Sequence, residues 1–232
     1  NVVVFSSGET MLPIHVAKFG GTSMANAESI QACVDVVERQ KNPTLVVVSA
    51  CAGVTNRLVA ISHSHTQTER QRLFDEIVDI HCQAASALPK ENAVHHHLSQ
   101  LHQLLHILVQ QAPDALESHQ RQKRDELLSF GERCSSRLFA AYWSQTSATN
   151  VEVADARSLL VTNNNFGNAS PNIDKTREHC ADLREQLNQG ARVVTQGFIG
   201  SSEEGNTTTL GRGGSDYSAA ILAAALDAEQ LN

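Results

Sequence analysis

The chain has 232 residues, 41% of them apolar, and a formal net charge of −7 at pH 7. That length and apolar share suit one sizeable globular core rather than a disordered segment. The acidic balance argues against a nucleic-acid or anionic-membrane surface, and no apolar run approaches the ~20 residues of a membrane span. Five cysteines (Cys33, Cys51, Cys82, Cys134, Cys180) are odd in number and widely spaced, without a C-x-x-C pair. They read as reduced, mostly buried thiols of a cytosolic protein, not as a disulfide framework. Residues 1–13 lack a basic n-region and a cleavage site, so they are not read as a signal peptide.

Ile14 and Val16 open a strand over 14–18, followed by Lys18-Phe19-Gly20-Gly21-Thr22-Ser23 and a helix over about 25–40. Ile30, Val34 and Val37 form that helix's apolar stripe. A strand, two glycines, two hydroxyls and a helix start are the parts of a phosphate cradle. Glycines admit close approach of backbone N–H groups, a helix N-terminus favours an anion, and Lys18 adds a compact cation. The bland alternative is a strand-to-helix turn with a solvated lysine. The loop is not a Walker A motif, because the lysine precedes the glycines.

Asn42-Pro43 breaks the first helix, and Leu45–Ser49 is a continuous β-branched run, as in a strand buried on both faces of a parallel sheet. A long helical region follows, over roughly 56–145, punctuated near Pro89 and Pro113. Within it, Leu98, Leu101, Leu105 and Leu108 turn inward. His95, His96, His97, His102 and His106 then read as a solvated face, and no metal site is expected. Val151–Ala154 is a strand, Asp155–Val161 a short helix or turn, and 163–168 a loop. A helix over 174–189 closes at Gly190, a strand runs over Ala191–Thr195, and Ser201–Asn206 is a polar turn.

Thr207-Thr208-Thr209-Leu210-Gly211-Arg212-Gly213-Gly214-Ser215-Asp216-Tyr217-Ser218 then repeats the passage from strand through glycines to helix. Ser215 and Asp216 fall at or near the N-cap of a helix over Ala219–Leu226. A capped helix after a glycine-rich loop would suffice structurally. The functional reading adds Arg212, a fork that can clamp a carboxylate, and an acid beside the cradle. Strands alternating with helices make the chain α/β with a mainly parallel sheet.

Together these segments resemble the aspartokinase branch of the amino acid kinase family. The matching segments are 18–23, Val46–Asn56, Ser129-Phe130-Gly131-Glu132, Thr195–Gly200 and Gly211–Tyr217, and the resemblance spans roughly residues 14–232. The 207–217 segment is most similar to the lysine-sensitive monofunctional bacterial type. The resemblance implies a three-layer α/β/α amino acid kinase fold, with 1–13 an extension and 14–232 the aspartate-binding part of the catalytic domain. It implies a sheet truncated before the nucleotide-binding half is complete, regulatory domains absent, and a fragment weakly active or inactive alone and insensitive to lysine.

The implied reaction is transfer of the ATP γ-phosphoryl group to the side-chain carboxylate of L-aspartate, with Mg2+ held through the nucleotide. It is the first step towards lysine, threonine and methionine. By the same resemblance, Lys18 bridges the β/γ-phosphates, and Asp216 is the organiser, positioning Lys18 or the metal-bound nucleotide. Gly20, Gly21, Thr22 and Ser23 line the phosphate path. Ser49, Thr55, Glu132, Arg212, Gly213, Gly214 and Ser215 hold aspartate, Glu132 through the ammonium and Arg212 through a carboxylate. A homodimer in the cytoplasm is expected. Other readings are a kinase of the same fold acting on acetylglutamate, carbamate or uridylate, or a non-catalytic aspartate-binding or subunit-interaction module.

Overall fold

A computed structural model describes residues 12–112, 118–211 and 213–232, with Ser118 and His119 described by backbone alone. The central sheet has five strands: β1 (His15–Phe19), β2 (Thr44–Val48), β3 (Val151–Ala154), β5 (Arg192–Gln196) and β8 (Gln230–Leu231). Their order is β3-β5-β2-β1-β8, and all four pairings are parallel. Val16, Leu45, Val47 and Val193 face one way and Ala17, Val46, Val48 and Val194 the other, so the period of two feeds two separate cores. Every residue of β2 is buried, as its unbroken β-branched run requires.

One core lies beneath α1 (Ala27–Glu38) and a block of four helices: α2 (Val54–His63), α3 (Gln67–Ala84), α4 (Ala93–Gln110) and α5 (Ser118–Thr146). The other lies beneath α7 (Ile173–His179), α8 (Ala181–Asn188) and α9 (Gly214–Ala225), where Cys180, Leu183, Leu187, Ala219 and Leu222 are buried against the strands. This is the three-layer α/β/α sandwich expected from the sequence. A small second sheet, β4 (Val161–Thr162), β6 (Ile199–Ser202) and β7 (Thr207–Thr209), follows the short α6 (Ala156–Leu159) and sits in the order β4-β6-β7.

Several expectations need correction. The helix expected from about 25 starts at Ala27, where Asn26 accepts a hydrogen bond from the Ser29 N–H. The helical region breaks at 64–66 as well as near Pro89, because Thr66 caps α3 by accepting from the Glu69 N–H. The break expected at Pro113 falls outside the described residues. The helix over 174–189 is two helices meeting at Cys180. The stretch 195–200 is interrupted at Gly197 and Phe198, the latter at φ 69°, and the turn at 201–206 is the bend of the β6–β7 hairpin. No element is expected after the helix over Ala219–Leu226, yet a strand follows. Asp227 turns the backbone at φ 49°, and β8 pairs with β1 through His15↔Gln230 and Val16↔Leu231.

His102 is the largest departure. It is buried rather than solvated, and its Nε2 lies 2.9 Å from Nδ1 of buried His81, the rings nearly parallel at 10°. Burial pushes both imidazoles down, to about 3 for His81 and about 4 for His102, so both are neutral and the N–H of one ring donates to the bare nitrogen of the other. Cys134 completes a buried trio with one ligand atom from each residue within 4.8 Å of the others. A tetrahedral zinc site, with bonds of ~2.0–2.3 Å, needs ligand atoms roughly 3.5 Å apart. Here two nitrogens are already hydrogen-bonded to each other, so the trio reads as a polar contact within the helical core.

Candidate functional site

A cavity of about 620 Å³ lies where β2, α2, α5 and the start of α9 meet. Ser49 to Gly53 follow the carboxyl end of β2, where a parallel sheet leaves a crevice. From there α2 begins at Gly53, whose φ of 82° sets the turn and which offers no side-chain cap. Across the cavity α9 begins at Gly213, at φ 72° and likewise without a side-chain cap. Two helix N-termini therefore border one cavity with their first-turn N–H groups not occupied by a capping side chain, a setting that favours anionic groups.

Glu132, from α5, supplies the opposite polarity. It is 3% exposed; its Oε1 accepts a 3.1 Å hydrogen bond from the Ala50 N–H, and its buried Oε2 has no partner among the described residues. Burial raises its pKa to about 8, although the Ala50 N–H opposes the shift. Its surroundings leave Cys51 and Cys134 as thiols, pushed up by burial, to about 12 for Cys51. Glu132 is thus a buried acid that lacks one cationic or N–H donor. It is not the exposed acid of a helix start.

Six of the residues expected to hold aspartate line this cavity, Ser49, Thr55, Glu132, Gly213, Gly214 and Ser215, together with Gly21, expected on the phosphate path. Ser49 Oγ donates to Ser215 Oγ at 2.9 Å, tying the end of β2 to the first turn of α9. Gly197 allows this closure, since a Cβ there would lie 2.7 Å from the Ser215 Cβ and 3.0 Å from its Cα. Thr55 is not the helix cap, a role held by Gly53. Ser215 and Asp216 lie inside α9, in its first turn, rather than at the N-cap. Arg212 lies outside the described residues.

Lys18, Gly20, Thr22, Ser23 and Asp216 do not line the cavity but stand next to it. Lys18 Nζ makes a 2.6 Å ion pair with Asp216 Oδ1, the lysine 20% exposed and the aspartate 76%. The Gly20–Ala25 segment is a turn of its own, pinned by Met24, whose N–H bonds the Gly20 and Gly21 carbonyls and whose side chain is fully buried. The cradle is therefore separated from the α1 N-terminus by the turn and by Asn26.

Sequence reasoning missed Asp125, Arg124, Gly167 and Phe198, which also line the cavity. Asp125 had a signal, because it lies seven residues before Glu132, two turns back on the same helix face. Gly167 and Phe198 gave none, since long-range packing brings them in.

The amino acid kinase family model matches residues 13–232. The chain is 39% identical over 223 residues to lysine-sensitive aspartokinase 3 of Escherichia coli (strain K12), covering 96% of this chain and 49% of that protein. It is 38% identical over 209 residues to an aspartokinase of Chlamydia pneumoniae, covering 90% and 44%. The crystal structure of E. coli aspartokinase III with aspartate and ADP superposes with a TM-score of 0.88 at 39% identity, over 94% of this chain and 48% of that one. A Clostridium acetobutylicum aspartate kinase, at 21% identity and a TM-score of 0.71, shares the fold. The chain thus spans about half the length of the curated relatives it matches. A match to the family model from residue 13 to residue 232, on a sandwich with this cavity at its strand ends, establishes that this chain belongs to the amino acid kinase family.

Proposed function

We propose that this chain forms the amino-acid-binding and phosphate-contacting part of an aspartate kinase, which transfers the γ-phosphoryl group of ATP to the side-chain carboxylate of L-aspartate. The observation that carries this reading is the polarity of the cavity. A buried carboxylate with an unpartnered oxygen belongs to the wall of a space bordered by two helix N-termini lacking side-chain caps. Such a cavity suits a small molecule with one ammonium and more than one carboxylate. The E. coli relative of known structure binds aspartate and ADP.

In this reading Glu132 Oε2 accepts from the substrate ammonium, and Arg212 grips a carboxylate beside Ser215. Ser49 and Thr55 offer hydroxyls, and the Gly213 and Gly214 backbone lines the same wall. Lys18, held by Asp216, reaches the β/γ-phosphates, and Gly20, Gly21, Thr22 and Ser23 border their path. Because a carboxylate attacks a polyanion, the residues act by alignment and charge neutralisation, and no proton need be removed from the nucleophile. Mg2+, carried with the nucleotide, would add positive charge to the phosphates. Asp216 fits the neighbourhood of a metal–nucleotide, being exposed and paired to a cation. The reading also includes a homodimer in the cytoplasm. Among the described residues, no helix is long and apolar enough to cross a membrane.

The test is calorimetric titration of the chain with aspartate, glutamate, acetylglutamate and uridylate, alongside hydroxylamine trapping of acyl phosphate with Mg-ATP. Aspartate-selective binding supports the reading, with turnover completing it. Aspartate binding without turnover would favour the binding-module reading for the chain alone, in keeping with its half-length match. Binding of acetylglutamate or uridylate in preference to aspartate would overturn it.

A further inference from the structure

Asp125 is a fully buried carboxylate whose oxygens are all engaged with backbone and hydroxyl donors from the distant 163–168 loop and the end of β7. Its Oδ2 accepts from the Gly167 N–H and the Thr209 N–H, each at 2.8 Å, and its Oδ1 accepts from the Thr209 hydroxyl at 2.9 Å. Thr209 is held on its other side too, since its carbonyl accepts from the Ala169 N–H at 2.9 Å. The next residue, Leu210, donates to the Phe198 carbonyl at 2.9 Å. Beyond it Gly211 packs so closely on the 167–168 segment that a Cβ would lie 2.7 Å from Asn168 Oδ1. The backbone of Thr209–Gly211 is therefore fixed on one side by Asp125, through Thr209, and on the other by Gly167 and Asn168.

We propose that Asp125 is a positioning residue for the amino-acid substrate. It rests on the aspartate-binding reading above and adds to it a cause for the geometry of the carboxylate-gripping loop. Asp125 and Glu132 share α5, seven residues and about 10.5 Å of helix apart. One rigid helix thus sets both the ammonium acceptor and the anchor of the loop that grips the carboxylate. The separation of those two subsites, and with it the length of amino acid accepted, follows from a single element. Asp125 acts as an acceptor, not as a charge. Its oxygens are occupied, and a negative charge near a dicarboxylate substrate would work against binding.

The experiment compares Asp125→Ala, Asp125→Asn and Thr209→Val with the unaltered chain, reading aspartate affinity, MgADP affinity and amide hydrogen exchange at Gly167 and Thr209. Asp125→Ala strips the buried Thr209 N–H and the part-buried Gly167 N–H of their acceptor; aspartate binding should weaken at least ~10-fold with MgADP binding within ~2-fold, and both amides should exchange faster. Asp125→Asn keeps an oxygen for both N–H groups and should stay within ~3-fold of the unaltered chain. Thr209→Val removes only the hydroxyl bond and should weaken aspartate ~3-fold. Unchanged affinity in Asp125→Ala would overturn the proposal, and so would an Asn variant as weak as the Ala variant, since charge would then matter. If Asp125→Ala does not fold, Thr209→Val decides, and unchanged affinity there refutes positioning. Failure of the unaltered chain to bind aspartate would instead remove the functional reading, and the exchange rates would still report whether Asp125 holds the two loops.

Discussion

Glu132 makes aspartate affinity a function of pH in a way that can be worked out. In the empty cavity its pKa lies at about 8, because burial penalises the carboxylate. The ammonium of the substrate is best received by the ionised form, so binding requires the proton to leave. The apparent dissociation constant then carries a factor of 1 + 10^(pKa − pH): about 100 at pH 6, about 10 at pH 7 and about 2 at pH 8. Aspartate should therefore bind ~50-fold more tightly at pH 8 than at pH 6, and a titration near pH 7 should release close to one proton. Substrate carboxylates and ammonium do not titrate in that window, and burial holds Cys51 and Cys134 as thiols above it. Glu132→Gln should abolish the slope. The assay is calorimetry in two buffers of different ionisation enthalpy. A flat affinity from pH 6 to 8, or an unchanged slope in Glu132→Gln, would refute the reasoning.

Lys18→Met should weaken MgADP at least ~10-fold and leave aspartate affinity within ~2-fold, as calorimetry would show; equal losses for both ligands would contradict a phosphate role. Asp216→Asn should shift the melting temperature by no more than ~2 °C, because a pair with one mostly exposed partner contributes little stability; a larger drop in a thermal melt would count against that view. Gly197→Ala should destabilise by about 1–3 kcal/mol, since its Cβ would meet Ser215 backbone and side chain; an unchanged denaturant midpoint would mean that the contact relaxes easily. The buried His81–His102 pair titrates lower than in the unfolded chain, so its contribution is complete above ~6.5 and falls as pH drops towards about 4. Chemical denaturation from pH 7 to 4.5 should show that loss, and replacing both residues with leucine should flatten it.

The sheet was readable in the sequence wherever burial left a local mark. Leu45–Ser49 and Ala191–Thr195 are apolar on both faces, and both became central strands within a residue of the expected bounds. The helical block was readable as helix but not as four helices, because the Thr66 cap looks like any other threonine in a polar stretch. His102 misled because its neighbours His95, His96 and His97 set an expectation of solvation, while its partner His81 lies in another helix. The strand Gln230–Leu231 is short and exposed, and only its alignment with β1 defines it. At the site, the glycine-rich segments announced themselves through local chemistry, whereas Asp125 works through hydrogen bonds 42 and 84 residues away in sequence. Its place on the Glu132 face of the helix was readable, but the distant partners that it satisfies were not.

The position of β2 has a consequence for how the chain is made. One side of β2 pairs with β1, only a short helix away, but its other neighbour is β5. At ~5–20 residues per second, the roughly 145 residues separating β2 from β5 take about 7–30 s to leave a ribosome. Throughout that interval the most apolar strand of the sheet has one open hydrogen-bonding edge. α5 emerges before β5, so the helical layer can shelter the strand's face before its edge is filled. Synthesis speed between residues 49 and 192, more than the final stability of the sandwich, then governs how much of the newly made chain reaches the native sheet instead of pairing with a neighbour.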